Sequence, residues 1–173
     1  MAALSPEEKS TMVMVYTQNL LAHGGLVTKQ GVRVSIWLRT QGVTEYIHLF
    51  KPSVIHFGSG GHKTLNYSEI YIPASTVIAF HMAPPASDPP DYAADELNRI
   101  MVPVTALVGA FQFKGNLRIS SMSDLATSIE QAHIGWLSIY NVVVSNNFMP
   151  QMQPIQVPMI LMNPKQVNLA IEG

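Results

Sequence analysis

The sequence predicts a mainly-β protein made of two tandem copies of one small domain, and three observations lead there. Apolar residues alternate at period 2 over short stretches bounded by Gly, Pro, Asn and Ser. Blocks of like character recur 90 residues apart. A Pro- and Asp-rich stretch, APPASDPPDYAADE at 83–96, separates the two series and reads as an extended, semi-rigid linker.

Each element has its own signal. Ser5-Pro6-Glu7-Glu8 has the residue types of a helix start, but the strand-like TMVMVYT at 11–17 follows at once, so residues 1–11 are expected to form a tail or one helical turn. LLAHGGLV at 20–27 reads as a strand bent or bulged at its Gly pair. EYIHLFKPSVIHF at 45–57 is a long strand broken near Pro52, which cannot donate to a ladder. Gly58 to Lys63 forms a flexible hairpin tip. Glu69–Ile72 and Val77–Phe80 are short strands about a tight turn, and Asp95–Arg99 adds a helical turn before a strand over Ile100–Leu107.

The recurrence pairs Gly25 with Gly115, Tyr46 with Trp136, Phe50 with Tyr140, Val54 with Val144, Ile70 with Ile160 and Val77 with Val167. YIHLF stands against WLSIY, and IYIPASTV against ILMNPKQV. Any two alternating strands match at an even offset, but a common offset for a glycine, an aromatic-led strand and a strand–turn–strand unit points to duplication. One segment differs. Residues 121–132 carry a cap at Ser123 or Asp124 and then Leu125, Ile129 and Ala132 at helical spacing. The counterpart VRVSIWLRT at 32–40 alternates like a strand, so strand and short helix both stand for that stretch.

This block order resembles the small five-stranded barrels of the SH3-like and Sm-like class, LMNPKQVNLAI at 161–171 being similar to the closing strand pair of Sm-like barrels. With VYT at 15–17 it also resembles an uncharacterised bacterial domain of about this length. The resemblance implies two tandem five-stranded barrels, each with at most one short helix, over 12–82 and 100–173, joined by a linker over 83–99. It further implies assembly through open barrel edges. The Asp and Asn pair of the Sm RNA pocket is not found, and neither is a basic stripe, so nucleic-acid binding is not implied.

Charge is the unusual quantity in the composition. Charged residues make up 12% of the 173, against about 25% in a typical soluble domain. Surfaces so poor in charge tend to associate. A net charge of −1 gives no polyanion-binding signature. With no cysteine, disulfides, thiol nucleophiles and Cys-ligated metals are excluded. No run of 18 apolar residues suggests a membrane span, and the N-terminus lacks the pattern of a secretory signal, so a cytoplasmic protein is expected.

No catalytic, cofactor or metal motif emerges. The six histidines (23, 48, 56, 62, 81 and 133) form neither HExxH nor HxH. Gly58-Ser-Gly-Gly61 lacks the spacing of a phosphate loop, and Ser35, Ser68 and Ser138 have no nucleophile-elbow context. Asp88, Asp91, Asp95 and Glu96 fall in the linker, where they read as solvating charge. The loop 146–155 is more suggestive: Phe148, Met149, Met152 and Ile155 are apolar residues in a polar, Pro-broken setting, and flexible Met side chains suit adaptable contacts. With His62, they are the candidate partner-contact residues. The expectation is a non-enzymatic scaffold subunit, without cofactor, acting through a protein partner or self-association. An Sm-like nucleic-acid binder and a small-ligand module with its pocket between the copies are the alternatives.

Overall fold

A computed structural model describes residues 4–40, 45–58, 61–131, 135–149 and 151–171. Its strands are β1 (Glu8–Tyr16), β2 (Leu20–Lys29), β3 (Tyr46–Gly58), β4 (Gly61–Asn66), β5 (Glu69–Pro73), β6 (Ala79–Met82), β7 (Arg99–Val108), β8 (Phe111–Ser120), β9 (Leu137–Asn146), β10 (Ile155–Met162) and β11 (Asn168–Ala170). A 3₁₀ helix spans Val34–Arg39, another spans Ala74–Thr76, and α1 spans Leu125–Gln131.

The expected mainly-β class is what forms, but the expected two tandem five-stranded barrels are not seen as separate units. All described strands join one antiparallel sheet in the order β11-β7-β8-β9-β10-β6-β1-β2-β3-β4, with β5 also on β3, and the sheet does not close. The cause is the pairing of β10 with β6, which sets Leu161 opposite Phe80 and Met162 opposite Ala79 and fuses the halves across their edges. No helix among the described residues is long and apolar enough to cross a membrane.

The same series of pairings occurs twice. β6-β1-β2-β3-β5 in the first half has the counterpart β11-β7-β8-β9-β10 in the second. Registers refine the offset. The bulge between His23 and Gly25 matches the bulge between Lys114 and Asn116, so Gly115 corresponds to Gly24 and not to Gly25. The offset is thus 91 in β1 and β2, and 90 in β3 and β5, where Phe50 faces Glu69 as Tyr140 faces Met159. It falls to 89 in β6: Met14 faces His81, and Thr105 faces Ala170. A glycine is needed at the second bulge, because a Cβ on Gly115 would lie 2.8 Å from Ile139 and 2.9 Å from the Tyr140 carbonyl.

β3 and β9 each change their inward face midway. Ile47 and Leu49 are buried, then Pro52 and Val54; likewise Leu137 and Ile139, then Val142 and Val144. The residue between each pair is left-handed, Lys51 at φ 45° and Asn141 at φ 51°. One left-handed residue turns the strand over without ending it, so His48 and His56 do not share a face in the simple even-number sense. Opposite the kink the edge strand breaks into β4 and β5, and Ser68 accepts the Lys51 amide at 2.7 Å.

The ambiguous VRVSIWLRT segment is helical where it matters. Val34 and Leu38 pack inward from one face of the 3₁₀ turn, and Trp37 is half-buried against the same core. Asp124 caps α1 by accepting the Thr127 amide at 2.7 Å. At the N-terminus Ser5-Pro6-Glu7-Glu8 makes a turn, not a helix, and β1 starts at Glu8. Residues 95–98 also form only turns before β7. Part of the Gly58–Lys63 tip lies outside the described residues, as does His133.

Two apolar clusters share β1. Val13 and Val15 face the first-half core with Leu26, Ile47, Leu49 and Phe80, while Met14 and Tyr16 face the second-half core with Phe111, Phe113 and Ile139. Tyr16 meets Phe111 and Phe113 edge-on at 5.0 and 5.1 Å. His81 of β6 is buried beside it. Its Nδ1 faces the Met82 carbonyl at 2.8 Å, which can only accept, so Nδ1 carries the proton. Nε2 therefore accepts from the Tyr16 hydroxyl, 3.0 Å away.

Burial pulls the His81 pKa down to about 4, against the opposing pull of the Met82 carbonyl. The unfolded imidazole titrates near 6.5, so as pH falls below that value the unfolded chain binds a proton the folded chain refuses. Stability is full above about 6.5 and is lost at about 1.4 kcal/mol per pH unit until the folded pKa is reached. Urea melts of the wild type at pH 7 and pH 5 should differ by about 2 kcal/mol more than those of His81→Gln; equal differences would refute the buried neutral ring. Lys51→Gly relieves a left-handed lysine whose side chain is exposed, and should stabilise the fold by about 1 kcal/mol in the same assay.

Candidate functional site

Three places gather chemistry or unpaired surface: the two ends of the sheet, and the seam where the linker crosses between the halves.

At one end, β5 pairs β3 on one side only. A groove of about 510 Å³ runs along its consecutive residues Ile70 to Pro73, with Thr17 to Leu20 opposite. On the exposed face, Tyr71 stacks on His48 with centroids 4.1 Å apart, and both reach Glu69, the phenol donating at 3.0 Å and the imidazole 2.9 Å away. These two contacts hold the Glu69 carboxyl below its usual range, and in return Glu69 raises the Tyr71 phenol. At the other end, β11 pairs only β7. Leu107 of β7 and Ile171 just beyond β11 are exposed there.

Not all carboxylates of the linker are solvating charge: Asp95 and Glu96 are exposed, but Asp88 and Asp91 are not. Asp91 is almost buried, its side chain 8% exposed, because three donors from both halves converge on it. Arg39 Nη1 lies 2.6 Å from one carboxylate oxygen, Ser138 Oγ donates to the same oxygen at 3.1 Å, and the Tyr140 hydroxyl donates to the other at 2.7 Å. Burial, with Asp91 as acceptor, pushes the Tyr140 phenol well above its ordinary range. Asp88 accepts the Ser35 amide at 2.9 Å, and Arg33 donates to the Pro89 carbonyl. Arg118 lies over the Tyr92 ring, donates to the Ala93 carbonyl and pairs with Glu96 at 2.6 Å. Every arginine of the chain reaches this strap, Arg99 through Glu96 at 4.0 Å.

Beside the strap lies a cleft of about 290 Å³. Arg39 enters it from the first half; Arg99, Arg118, Trp136, Tyr140 and the hydroxyls of Ser120, Ser123, Ser128 and Ser138 enter from the second. Sequence reading missed this site because its arginines lie far apart in the chain. A usable signal existed: the chain has only four arginines, and the linker opposite them holds its densest acidic stretch.

The residues chosen from sequence fall in two places. Phe148 is exposed in the β9–β10 loop, and Met149 is half-buried. Met152 and Ile155 are half-buried and pack against the second-half core, and Ile155 also lines a groove with Met14, Leu21 and Ile55 of the first half. His62 stands apart on the exposed edge strand β4, opposite Phe57. Among the described residues no three His, Asp or Glu side chains gather as a metal site.

Replacing Asp91 by Ala strands the Tyr140 and Ser138 hydroxyls and the Arg39 guanidinium, and should cost about 2 kcal/mol in a denaturant melt; a loss within error of zero would mean the strap is not anchored there. Comparison of the chain with protein-family models, with curated proteins and with solved structures returns no match.

Proposed function

We propose that the protein is a self-assembling structural subunit whose chains join edge to edge, with each half acting as a five-stranded unit of the Sm-like kind. One observation carries this reading: the chain already contains one such joint, and the two edges that correspond to it are free of strand partners among the described residues. In the joint, β10 of the second half meets β6 of the first. Their counterparts are β5 and β11, which lie at the ends of the sheet.

Side-chain exposure follows the same logic. Leu161 of β10 is 0% exposed because it inserts into the first-half core beside Phe80. Its counterpart Tyr71 is 58% exposed. Tyr16 is 0% exposed at the internal seam, and its counterpart Leu107 is 43% exposed. Apolar positions that the joint buries are thus left open where no joint exists, and open strands of this kind recruit further strands.

The register of the internal joint suggests the form of the proposed contact. Leu161 opposite Phe80 and Met162 opposite Ala79 translate, by the offsets of 90 for β10 and 89 for β11, into Tyr71 opposite Leu169 and Ile72 opposite Asn168 of the next chain. Such a head-to-tail contact uses two different surfaces. It makes rings where the rotation closes and filaments where it does not.

The absence of cysteine makes the test clean. Tyr71→Cys with Leu169→Cys should give a ladder of disulfide-linked multimers on mild oxidation, resolved by non-reducing electrophoresis. Tyr71→Cys with Ile171→Cys, two residues out of register, should give far less. A double variant that stays monomeric, or a control that ladders equally well, would overturn the proposed joint.

A further inference from the structure

We propose that the seam cleft binds a small phosphate monoester, no larger than a mononucleotide, with the phosphate against its arginines and an apolar or planar body against its aromatic wall. Three of the four arginines of a charge-poor chain line this cleft. Guanidinium presents a planar fork of donors suited to phosphate oxygens. Among the described residues the acidic groups that pair with them are Asp91 and Glu96. Asp91 is committed to Arg39, Ser138 and Tyr140, and Glu96 serves both Arg99 and Arg118. The neighbouring Asp124 carboxylate accepts the Thr127 amide. Of the three, Arg99 is the least committed cation among the described residues, since its ion pair with Glu96 is stretched to 4.0 Å.

The rest of the lining suits the same ligand. Ser123 and Ser128 hold their hydroxyls 3.0 Å apart at the cleft; Ser123 donates to the Asp124 carbonyl, which leaves the Ser128 proton able to turn toward an anion. Leu117, Ile119 and Leu137 supply apolar surface, and Trp136 and Tyr140 supply rings. A few directed polar groups over an apolar lining is the usual make-up of a small-molecule site. The volume of about 290 Å³ sits at the small end for such sites, which excludes a dinucleotide. Arg39 comes from the first half and the remainder from the second, so the site exists only when the halves are joined.

Titration calorimetry of the intact chain with adenosine monophosphate, inorganic phosphate and adenosine tests the assignment. The monophosphate should bind tightest, phosphate more weakly, and adenosine not measurably. Arg99→Gln should weaken the monophosphate about tenfold, the loss of one charged hydrogen bond, while leaving the melting temperature close to wild type because the side chain is half exposed. Arg118→Gln should weaken it as well. Asp91→Asn, which removes a competing charge, should tighten it. No binding of any probe at millimolar concentration, adenosine binding as well as its monophosphate, or an affinity indifferent to Arg99→Gln would each overturn the proposal.

Discussion

Strand β1 is buried on both faces over Val13–Tyr16, and the architecture follows from that constraint. A strand at a sheet edge keeps one side of its ladder open, and a strand on a barrel wall keeps one face open. β1 does neither. It pairs β2 and β6 along its edges, sends Val13 and Val15 into one core, and sends Met14 and Tyr16 into the other. Its apolar run VMVY at 13–16 is therefore continuous, as expected for a strand covered on both faces. The Tyr16 hydroxyl is the one polar group this burial creates, and His81 satisfies it at 3.0 Å. An unpaired phenol there would cost a few kcal/mol. The neutral imidazole that prevents this is itself paired with the Met82 carbonyl.

The fusion of the halves is asymmetric for a simple reason. Two units of the same topology, joined head to tail, use one copy of each edge and leave the other copy unused. β10 and β6 are spent internally, so β5 and β11 remain. This explains why positions that correspond to one another differ so much in exposure. It also explains why few residues are identical across the repeat, since Tyr16 and Leu107, or Leu161 and Tyr71, face different neighbours. The left-handed pair, Lys51 and Asn141, shows what stayed common: the point where the aromatic-led strand turns over.

Much of this was legible in the sequence, and what was not has physical causes. Period-2 alternation and the turn residues placed most strands, because side-chain direction in a strand is strictly local. The 90-residue recurrence was visible in YIHLF and WLSIY, but the drift of the offset from 91 to 89 was not, because it arises from pairing partners. Alternation misdescribed 32–40, where Val34 and Leu38 satisfy both a period of two and one turn of helix. The linker was misread in its chemistry. Asp91 looks like any solvated carboxylate until the fold brings Arg39, Ser138 and Tyr140 to it from 47 to 52 residues away. In the loop 146–155, whose apolar residues suit either the end of their own core or a partner, Met152 and Ile155 pack against the second-half core and Phe148 is exposed.

The strap and the joint act together. The arginines of a chain with little charge are concentrated on residues 88–96, which fastens the crossover between halves. Strand edges left without a second partner among the described residues are suited to meeting one another. Amide hydrogen exchange followed as a function of protein concentration tests this most directly. Protection at residues 70–72 and 168–170 should rise with concentration while that at 61–66 stays constant, and native mass should pass from 19.0 kDa to its multiples. Exchange rates at both edges that are the same at every concentration, with a mass fixed at 19.0 kDa, would contradict the account.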